Sequence, residues 1–241
     1  MNLKSYLSNT QKRIAMPIMT HPGIEYIGKR VIDAVTDGDV HFEAIRAVVE
    51  RYNMAACTVI MDLTVEAEAF GAKINFPENE VPHVIERLVA DEASVSSLKV
   101  PDLTAGRLPE YLKANQRAVA YFQDRPVLAG CIGPFSLAGR LYDMSEIMVA
   151  IYIEPDTILQ LLEKCTTFLL AYCRRLKEIG VSGVFMAEPA AGLLSDEDCC
   201  TYSTAFVKRI VDELQDEKFA VILHNCGNTG QCTNAMIQSG A

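Results

Sequence analysis

The sequence lacks the features that mark several common functional classes. No apolar run in its 241 residues approaches the roughly 20 residues of a membrane span. The N-terminal stretch MNLKSYLSNTQKR is polar and has no secretory-type apolar core, so we expect a cytoplasmic protein. No block rich in Lys or Arg occurs, and the formal net charge is −9. This charge argues against nucleic acid or an anionic membrane as a partner.

No CxxC pair occurs among the eight cysteines, and their spacing fits no disulfide framework. We therefore expect mostly reduced thiols packed in the core. Cys165 and Cys173 lie on the apolar face of a predicted helix, and the Cys199–Cys200 doublet lies early in another, so packing explains both pairs. No GxGxxG or GxxxxGK[ST] motif follows a predicted strand, which removes support for a nucleotide-binding fold.

Short apolar runs alternate with longer amphipathic segments along the chain. The strands are apolar throughout, as expected for a parallel sheet covered by helices, and the repeat fits either a doubly wound sheet or a (β/α)8 barrel. About five strand–helix units precede Ala241, whereas a barrel requires eight, so a barrel would lack its last units. We expect one domain over residues 1–241. The predicted strands are 14–19, 55–61, 126–132, 181–188 and 219–225, and the predicted helices 39–53, 104–123, 145–153, 156–179, 195–214 and 233–239.

Polar side chains follow nearly every predicted strand at its carboxyl end. Active sites of parallel α/β folds are built there, because loops and helix N-termini converge at that edge. Five such placements together are more informative than any single one. In strand order the residues are His21; Asp62; Ser136 and Arg140 in GPFSLAGRL; Glu188; and His224 with Cys226.

His224 and Cys226 form an HxC pair at the end of the fifth predicted strand, in a chain with only four histidines. Alternate residues of a strand share a face, so an imidazole and a thiolate there can bind one zinc ion. The alternative is a hydrogen-bonded histidine and a cysteine packed as a small apolar residue. Catalytic zinc takes three protein ligands, so the pair is incomplete. Cys232 follows closely, but the start of the next predicted helix carries it away.

The remaining charged candidates each have a structural alternative. Asp62 is either a catalytic acid or a cap of the following turn. Glu66 and Glu68 are expected to be solvated or to cap a helix. Glu188, before a tight PAAG loop, is a candidate metal ligand, partner of a ligand, or structural acceptor. Arg140 either anchors an anionic group or forms a surface ion pair.

Four segments resemble the uroporphyrinogen decarboxylase superfamily in their order and spacing: MDLTVEAEAFGAKINFPENEVP, GCIGPFSLAGRL, MAEPAAGLLS and ILHNCGNT. They resemble more closely its methylcobamide:coenzyme M methyltransferase branch. The resemblance runs from Lys12 to Ala241, and the linked set is specific although no single motif is. It implies a (β/α)8 TIM barrel of which this chain holds the first five βα units.

The resemblance also implies a metal and a reaction. In the methyltransferase branch an HxC pair after the fifth strand and a later cysteine hold a zinc ion. His224 and Cys226 match the first two ligands, and the third is expected beyond Ala241. The methyl group would pass from a methylated corrinoid to a thiol such as coenzyme M. We find no corrinoid-binding motif, so we expect the corrinoid in trans, on a partner protein.

In this interpretation, the other strand-end residues serve the thiol. Asp62 and Glu188 orient the zinc ligands or take up the thiol proton. Arg140 holds the anionic tail of the thiol, and Ser136 and His21 complete the predicted substrate-binding set.

Two other functions stay open. A uroporphyrinogen decarboxylase would be metal-free, and Asp62 corresponds to its catalytic aspartate. That branch holds a substrate with eight carboxylates by an arginine cluster after the first strand. The corresponding stretch here, PIMTHPGIEYIGKR, has no arginine before Arg30. The other alternative is a non-catalytic, truncated barrel that acts as an interaction module.

Overall fold

The computed structural model describes residues 3–10, 13–19, 21–227 and 230–241. The first half of the chain contains α1 (Leu3–Ser8), α2 (His21–Tyr26), α3 (Val31–Thr36), α4 (Gly38–Tyr52), β1 (Cys57–Thr58), α5 (Val65–Ala69), β2 (Ile74–Asn75), β3 (His83–Val84), α6 (Glu92–Ser97) and α7 (Leu108–Tyr121). The second half contains β4 (Val127–Ile132), α8 (Pro134–Tyr142), α9 (Met144–Ile153), α10 (Pro155–Ile179), β5 (Gly183–Ala187), α11 (Asp196–Cys199), α12 (Ala205–Leu214), β6 (Ala220–His224) and α13 (Thr233–Gln238).

Four parallel strands form the main sheet in the order β1-β4-β5-β6. Consecutive members are joined through helices, and β5 pairs with β6 from Gly183 opposite Ala220 to Ala187 opposite His224. A separate antiparallel hairpin, β2 and β3, follows β1. Strand and helix thus alternate around a parallel sheet, as the apolar runs predicted.

The predicted strand 14–19 is wrong, since residues 13–19 form no strand. Pro17 lies in its middle and has no N–H to donate to a sheet ladder. Its carbonyl instead accepts a hydrogen bond from Thr58 Oγ1, at 3.3 Å. The segment therefore lies against β1 without becoming a fifth ladder strand.

Helix α10 shows why the amphipathic segments fold as predicted. Gly180, at φ 99°, ends it in the left-handed region, where glycine carries no Cβ penalty. The predicted and observed helices differ here by one residue at the N-terminus. Its apolar stripe is buried throughout: Ile158, Leu161, Leu162, Cys165, Phe168, Leu169, Tyr172 and Leu176.

The helix predicted over 195–214 is present but not uniform. It begins at Asp196 after the N-cap Ser195, whose hydroxyl accepts a hydrogen bond from the backbone N–H of Asp198. A π-helical turn, Cys200–Thr204, interrupts it between α11 and α12. A π turn accommodates one extra residue and changes which side chains face inward. A 3-10 turn, Pro189–Leu193, connects β5 to this segment.

The sheet separates two apolar regions. The large core lies between the sheet and its helices. A smaller cluster covers the opposite face, which we call the inner face, and consists of Leu3, Ala56 and Leu128 with Met16, Phe185, Ala220 and Ile222. Ala220, Ile222 and His224 alternate along β6, so His224 lies on the inner face too.

The cysteine prediction is confirmed for packing: in the described ranges no cysteine forms a disulfide, six thiols are buried, Cys200 is partly exposed and Cys226 is exposed. Cys165 and Cys173 are fully buried in α10. No helix in the described ranges is long and apolar enough to cross a membrane.

Gly183 is required by the close approach of β5 to β6. A Cβ there would lie 2.4 Å from the carbonyl oxygen of Ala220, a backbone atom that cannot move alone. We expect Gly183→Ala to lower the free energy of unfolding by about 2 kcal/mol, as overpacking does. Urea unfolding measures this loss. Gly130→Ala, on β4, is the matched control, because its Cβ meets Met61 at 3.5 Å, an ordinary contact. Equal losses for both variants would contradict this account.

Candidate active site

Glu188 joins the ends of two neighbouring strands through its backbone. It directly follows β5, and its N–H donates to the carbonyl oxygen of His224, at 2.8 Å. Its own carbonyl oxygen accepts a hydrogen bond from the side-chain amide of Asn225, also at 2.8 Å. These two bonds hold the segment that begins at His224 against the end of β5.

The carboxylate of Glu188 is fully buried and satisfied by three donors. The backbone N–H groups of Phe135 and Ser136 donate to it at 2.7 and 3.0 Å, and the Ser203 hydroxyl donates at 3.1 Å. The first two belong to the first turn of α8, where the helix dipole favours a negative group. Burial raises the pKa of Glu188, and these hydrogen bonds oppose that rise. A Cβ at Gly133 would lie 2.2 Å from Glu188 Oε2, so the carboxylate fits only against glycine.

Ser136, predicted to bind substrate, is buried beneath this carboxylate. Its hydroxyl accepts a hydrogen bond from the backbone N–H of Ala190, at 3.1 Å. It therefore connects α8 to the 3-10 turn after β5. The contact of Ser136 with substrate stays a prediction.

Asp62 is buried and bound by a cation that the sequence did not reveal. Its carboxylate contacts the Arg107 guanidinium at 2.6 Å and accepts hydrogen bonds from both the backbone N–H and the hydroxyl of Thr64. Tyr111 donates a further hydrogen bond at 3.2 Å. Arg107 also contacts Glu68 at 2.5 Å. Asp62 therefore caps the turn at Thr64, as one interpretation of the sequence predicted, and also forms a buried ion pair with Arg107.

The prediction that Glu66 is solvated or helix-capping is wrong. Glu66 is 2% exposed, and its Oε1 accepts a hydrogen bond from Ile132 N at 3.0 Å. Its Oε2 has no hydrogen-bond partner among the described residues. Burial raises its pKa from 4.5 to about 7, because ionisation would leave a charge in an apolar environment. The prediction for Glu68 is also wrong, since it belongs to the Arg107 ion pair.

His224 and Cys226 lie where the sequence placed them, with one correction. The strand ends at His224, and Cys226 lies in the following turn, so strand alternation does not extend to the pair. His224 is half-buried and Cys226 exposed, and neither side chain has a hydrogen-bond partner in the described part of the chain. Asn228 and Thr229 lie outside the described residues.

Cys232 points away from this pair, as the start of a helix there predicted. It precedes α13 and is buried, and its thiol donates to the carbonyl oxygens of Leu194 and Ala191, at 3.1 and 3.5 Å. Across residues 3–10, 13–19, 21–227 and 230–241, no three His, Cys, Asp or Glu side chains cluster closely enough to hold a metal ion. His224 and Cys226 thus offer two donors of the kinds that zinc binds, an imidazole nitrogen and a thiol sulfur.

Arg140 and His21 belong to α8 and α2, and neither lines the cavity that His224 lines. Arg140, near the end of α8, lines a cavity of about 110 Å³ that it shares with Arg87 and Asp143. It forms no ion pair with any described residue, so the surface ion pair considered from the sequence is not observed. His21 is exposed at the start of α2.

Sequence reasoning missed His41, a fully buried histidine of α4. Its Nε2 accepts a hydrogen bond from the backbone N–H of Ile60, at 3.0 Å, and its ring meets Tyr111 edge-on. Burial lowers the pKa of His41 to about 3, so it is a neutral acceptor that supports the end of β1. Its helical spacing with Ile45 and Val48 on the buried face of α4 was a usable signal. Arg107 lies in a loop and had no such signal.

A family model described as Uroporphyrinogen decarboxylase (URO-D) matches residues 12–241. The chain belongs to the uroporphyrinogen decarboxylase family. A solved methyltransferase from Methanosarcina mazei superposes on 99% of this chain and 72% of its own, with a TM-score of 0.88 and 21% identity. The expected fold, a partial α/β barrel of the uroporphyrinogen decarboxylase type, is confirmed in class and overall architecture, with four of the five predicted strands in the parallel sheet.

Curated relatives include both branches considered from the sequence. Methylcobamide:CoM methyltransferase MtbA of Methanosarcina mazei is 31% identical over 189 residues, which are 77% of this chain and 56% of that protein. The uroporphyrinogen decarboxylase of Janthinobacterium sp. is 27% identical over 179 residues, which are 71% of this chain and 49% of that protein. The chain spans about half the length of these relatives.

Removing Arg107 leaves two acids without their cation. Breaking a buried ion pair on one side typically costs about 3 kcal/mol or more, because the remaining charge stays desolvated. We expect Arg107→Met to lower the free energy of unfolding by that amount at pH 7, measured in urea. Arg117→Met, which breaks the exposed contacts to Asp39 and Glu43, should cost under about 1 kcal/mol. A small, equal loss in both variants would count against a structural role for the buried pair.

Glu66 makes stability depend on pH with a defined sign. Its folded pKa, about 7, lies above its ordinary 4.5, so the folded state holds the proton more tightly. Its contribution is fully present below about pH 4.5 and is lost as pH rises to about 7, by roughly 3 kcal/mol. Glu66→Gln removes this titration, so the free energy of unfolding of the variant should rise relative to that of the wild type as the pH increases from about 4.5 to about 7. Exposed Glu217→Gln is the control, and parallel pH profiles for wild type and Glu66→Gln would refute the assignment.

Proposed function

We propose that the chain is the barrel part of a methyltransferase that moves a methyl group from a methylated corrinoid to a thiol such as coenzyme M. One observation carries this proposal. An imidazole at the last residue of β6 and a thiol two residues later have no hydrogen-bond partners among the described residues, in a chain 31% identical to a methylcobamide:CoM methyltransferase. A half-buried polar group normally has a partner, so the unpartnered imidazole of His224 favours a bound ligand, and the exposed thiol of Cys226 is accessible to the same ligand.

In this proposal, His224 and Cys226 are two protein ligands of a zinc ion. Both donor types suit zinc, and the exposure of Cys226 leaves its sulfur accessible to an incoming ion. Bound zinc would make a coordinating substrate thiol a thiolate, the reactive form, near neutral pH.

The backbone of Glu188 would position the first ligand. Its bonds to His224 O and from Asn225 Nδ2 fix the end of β6, and the side chain of Asn225 in turn accepts from the backbone N–H of Gly227. The loop that carries Cys226 is thus bonded on both sides of that residue. We propose that Glu188 acts by holding this segment, with its carboxylate in α8 as the anchor.

Asp62 is proposed to act in the same indirect way. Four contacts already occupy its two oxygens, among them the charged group of Arg107, so an accessible proton acceptor is a weaker assignment for it. Arg140 is the proposed partner of an anionic thiol tail, because its cation has no ion pair among the described residues. His21, exposed at the start of α2, is proposed to line the same substrate side.

Zinc content tests the proposal directly. We expect the purified protein to hold zinc, measured by elemental analysis, and His224→Ala and Cys226→Ala to weaken zinc binding more than about 100-fold. Cys200→Ala is the matched control, because Cys200 is also a free and partly exposed thiol but lies in the π turn. Transfer from free methylcobalamin to coenzyme M should fall with the two ligand variants and stay unchanged in Cys200→Ala.

Two results would reject this function. A folded, metal-free wild type that converts uroporphyrinogen would establish the decarboxylase alternative, which the 27% identical relatives support. A folded wild type without zinc, methyl transfer or decarboxylation would leave only the non-catalytic interaction module.

A further inference from the structure

Helix α9 is apolar on two opposite faces, although only one of them is covered. Ile147, Ala150 and Ile151 are buried against the protein. Val149, Tyr152 and Ile153 are 55%, 69% and 69% exposed. These three are spaced i, i+3 and i+4, so they form one continuous outer face.

This outer face lies at the carboxyl-terminal side of the sheet. Helix α10 ends at Ile179, just before β5 begins, so its last turn lies at the amino edge of the sheet. Its first turn, which begins at Pro155 soon after α9 ends, therefore lies at the carboxyl edge. The Tyr152 hydroxyl donates to Asp198 at 2.7 Å, and Asp198 also binds the hydroxyl of Ser195.

A fourth exposed apolar residue lies two positions before Ser195, whose hydroxyl shares Asp198 with Tyr152. Leu193, 63% exposed, closes the 3-10 turn that follows Glu188. The next residue, Leu194, accepts hydrogen bonds at its carbonyl oxygen from Gln231 and Cys232, at 2.8 and 3.1 Å. We call Val149, Tyr152, Ile153 and Leu193 the α9 patch. The segment that carries Leu193 is therefore bonded to the residues just before α13.

Acidic side chains surround the α9 patch. Glu92, Glu154 and Asp156 line a cavity of about 530 Å³ that Ile153 also lines, and no lysine or arginine contributes to it. Glu146, which pairs with Arg87 at 3.7 Å, lies on α9 itself, and Asp198 accepts the hydrogen bond of Tyr152. An exposed apolar centre with a charged rim is the composition of a protein-binding surface, and the rim selects a partner of opposite charge.

We propose that the α9 patch binds the protein that carries the methylated corrinoid, through an apolar centre flanked by lysines and arginines on that partner. This rests on the proposed function, in which the corrinoid arrives in trans. A second copy of this chain fits poorly, because two acidic rims would face each other. The patch lies at the carboxyl edge of the sheet, the edge at which β6 ends in His224, so a partner seated there would lie on the same side of the sheet as the candidate site.

The test compares two methyl donors, a purified methylcobamide-carrying protein and free methylcobalamin. Tyr152→Lys places a positive charge in the patch and should raise KM for the protein donor at least 10-fold. Transfer from free methylcobalamin should stay unchanged, because no proposed zinc or thiol ligand is touched. Tyr52→Lys is the control: this tyrosine is 52% exposed at the end of α4, on the amino-terminal side of the sheet. The wild-type KM for the protein donor should also rise with salt.

Direct binding separates this inference from the proposed function. Fluorescence anisotropy of the labelled corrinoid protein should show tight binding to wild type and Tyr52→Lys, and at least 10-fold weaker binding to Tyr152→Lys. Equal binding to all three overturns the patch, even if methyl transfer is observed. Size-exclusion chromatography that shows a wild-type dimer broken by Tyr152→Lys also overturns it, in favour of self-association. Absence of transfer from free methylcobalamin would reject the proposed function, and with it the identity of the partner.

Discussion

The buried carboxylate of Glu188 is the contact on which the candidate site depends. It receives the first N–H groups of α8, while its backbone bonds to both His224 and Asn225. One residue thus fixes the start of a helix and the end of the neighbouring strand. The arrangement needs a glycine at 133, because any Cβ would occupy the position of the carboxylate oxygen. Local sequence, helix capping and strand register are coupled through this side chain.

Three acids lie buried in the part of the chain that the structure describes, and each avoids an isolated charge differently. Asp62 has a guanidinium partner, Glu188 has two backbone N–H groups and a hydroxyl, and Glu66 has one N–H group and a raised pKa. Coulomb attraction, helix-end hydrogen bonding and protonation are the three ways in which proteins tolerate a desolvated carboxyl group. The first two hold loops in place, whereas the third makes its region sensitive to pH.

The sequence predicted the periodic elements well and the irregular ones poorly. Helices α4, α9, α10 and α12 were readable because their apolar faces repeat at helical spacing. The hairpin of β2 and β3 and the short α5 were not, since two-residue strands and single turns carry no period. Residues 14–19 form an apolar run that is not a strand, because an apolar pattern does not report whether the backbone can pair.

The candidate site divides along the same line. The sequence placed three candidate residues correctly at or just after the ends of strands, because such positions are visible in a sequence. They are Glu188, His224 and Cys226. Arg107 was not found, because it reaches Asp62 from a loop 45 residues away. The burial of Glu66 depends on the packing of α5 against α8, which only the tertiary structure defines. Long-range polar pairs of this kind have no local pattern.

In the π turn at Cys200–Thr204, two buried hydrogen bonds depend on the number of residues in the turn. Two consecutive hydroxyls in this turn have different targets: Ser203 donates to Glu188, and Thr204 donates to the carbonyl oxygen of Ala235 in α13. Loss of one residue would convert the π turn to a regular helical turn, which changes the side chains within the turn and leaves α12 beyond it in register. A single-residue deletion there would therefore detach both hydroxyls at once, although every apolar residue of α12 could still find the core. Evolution of this segment is thus constrained in residue number as well as in residue type.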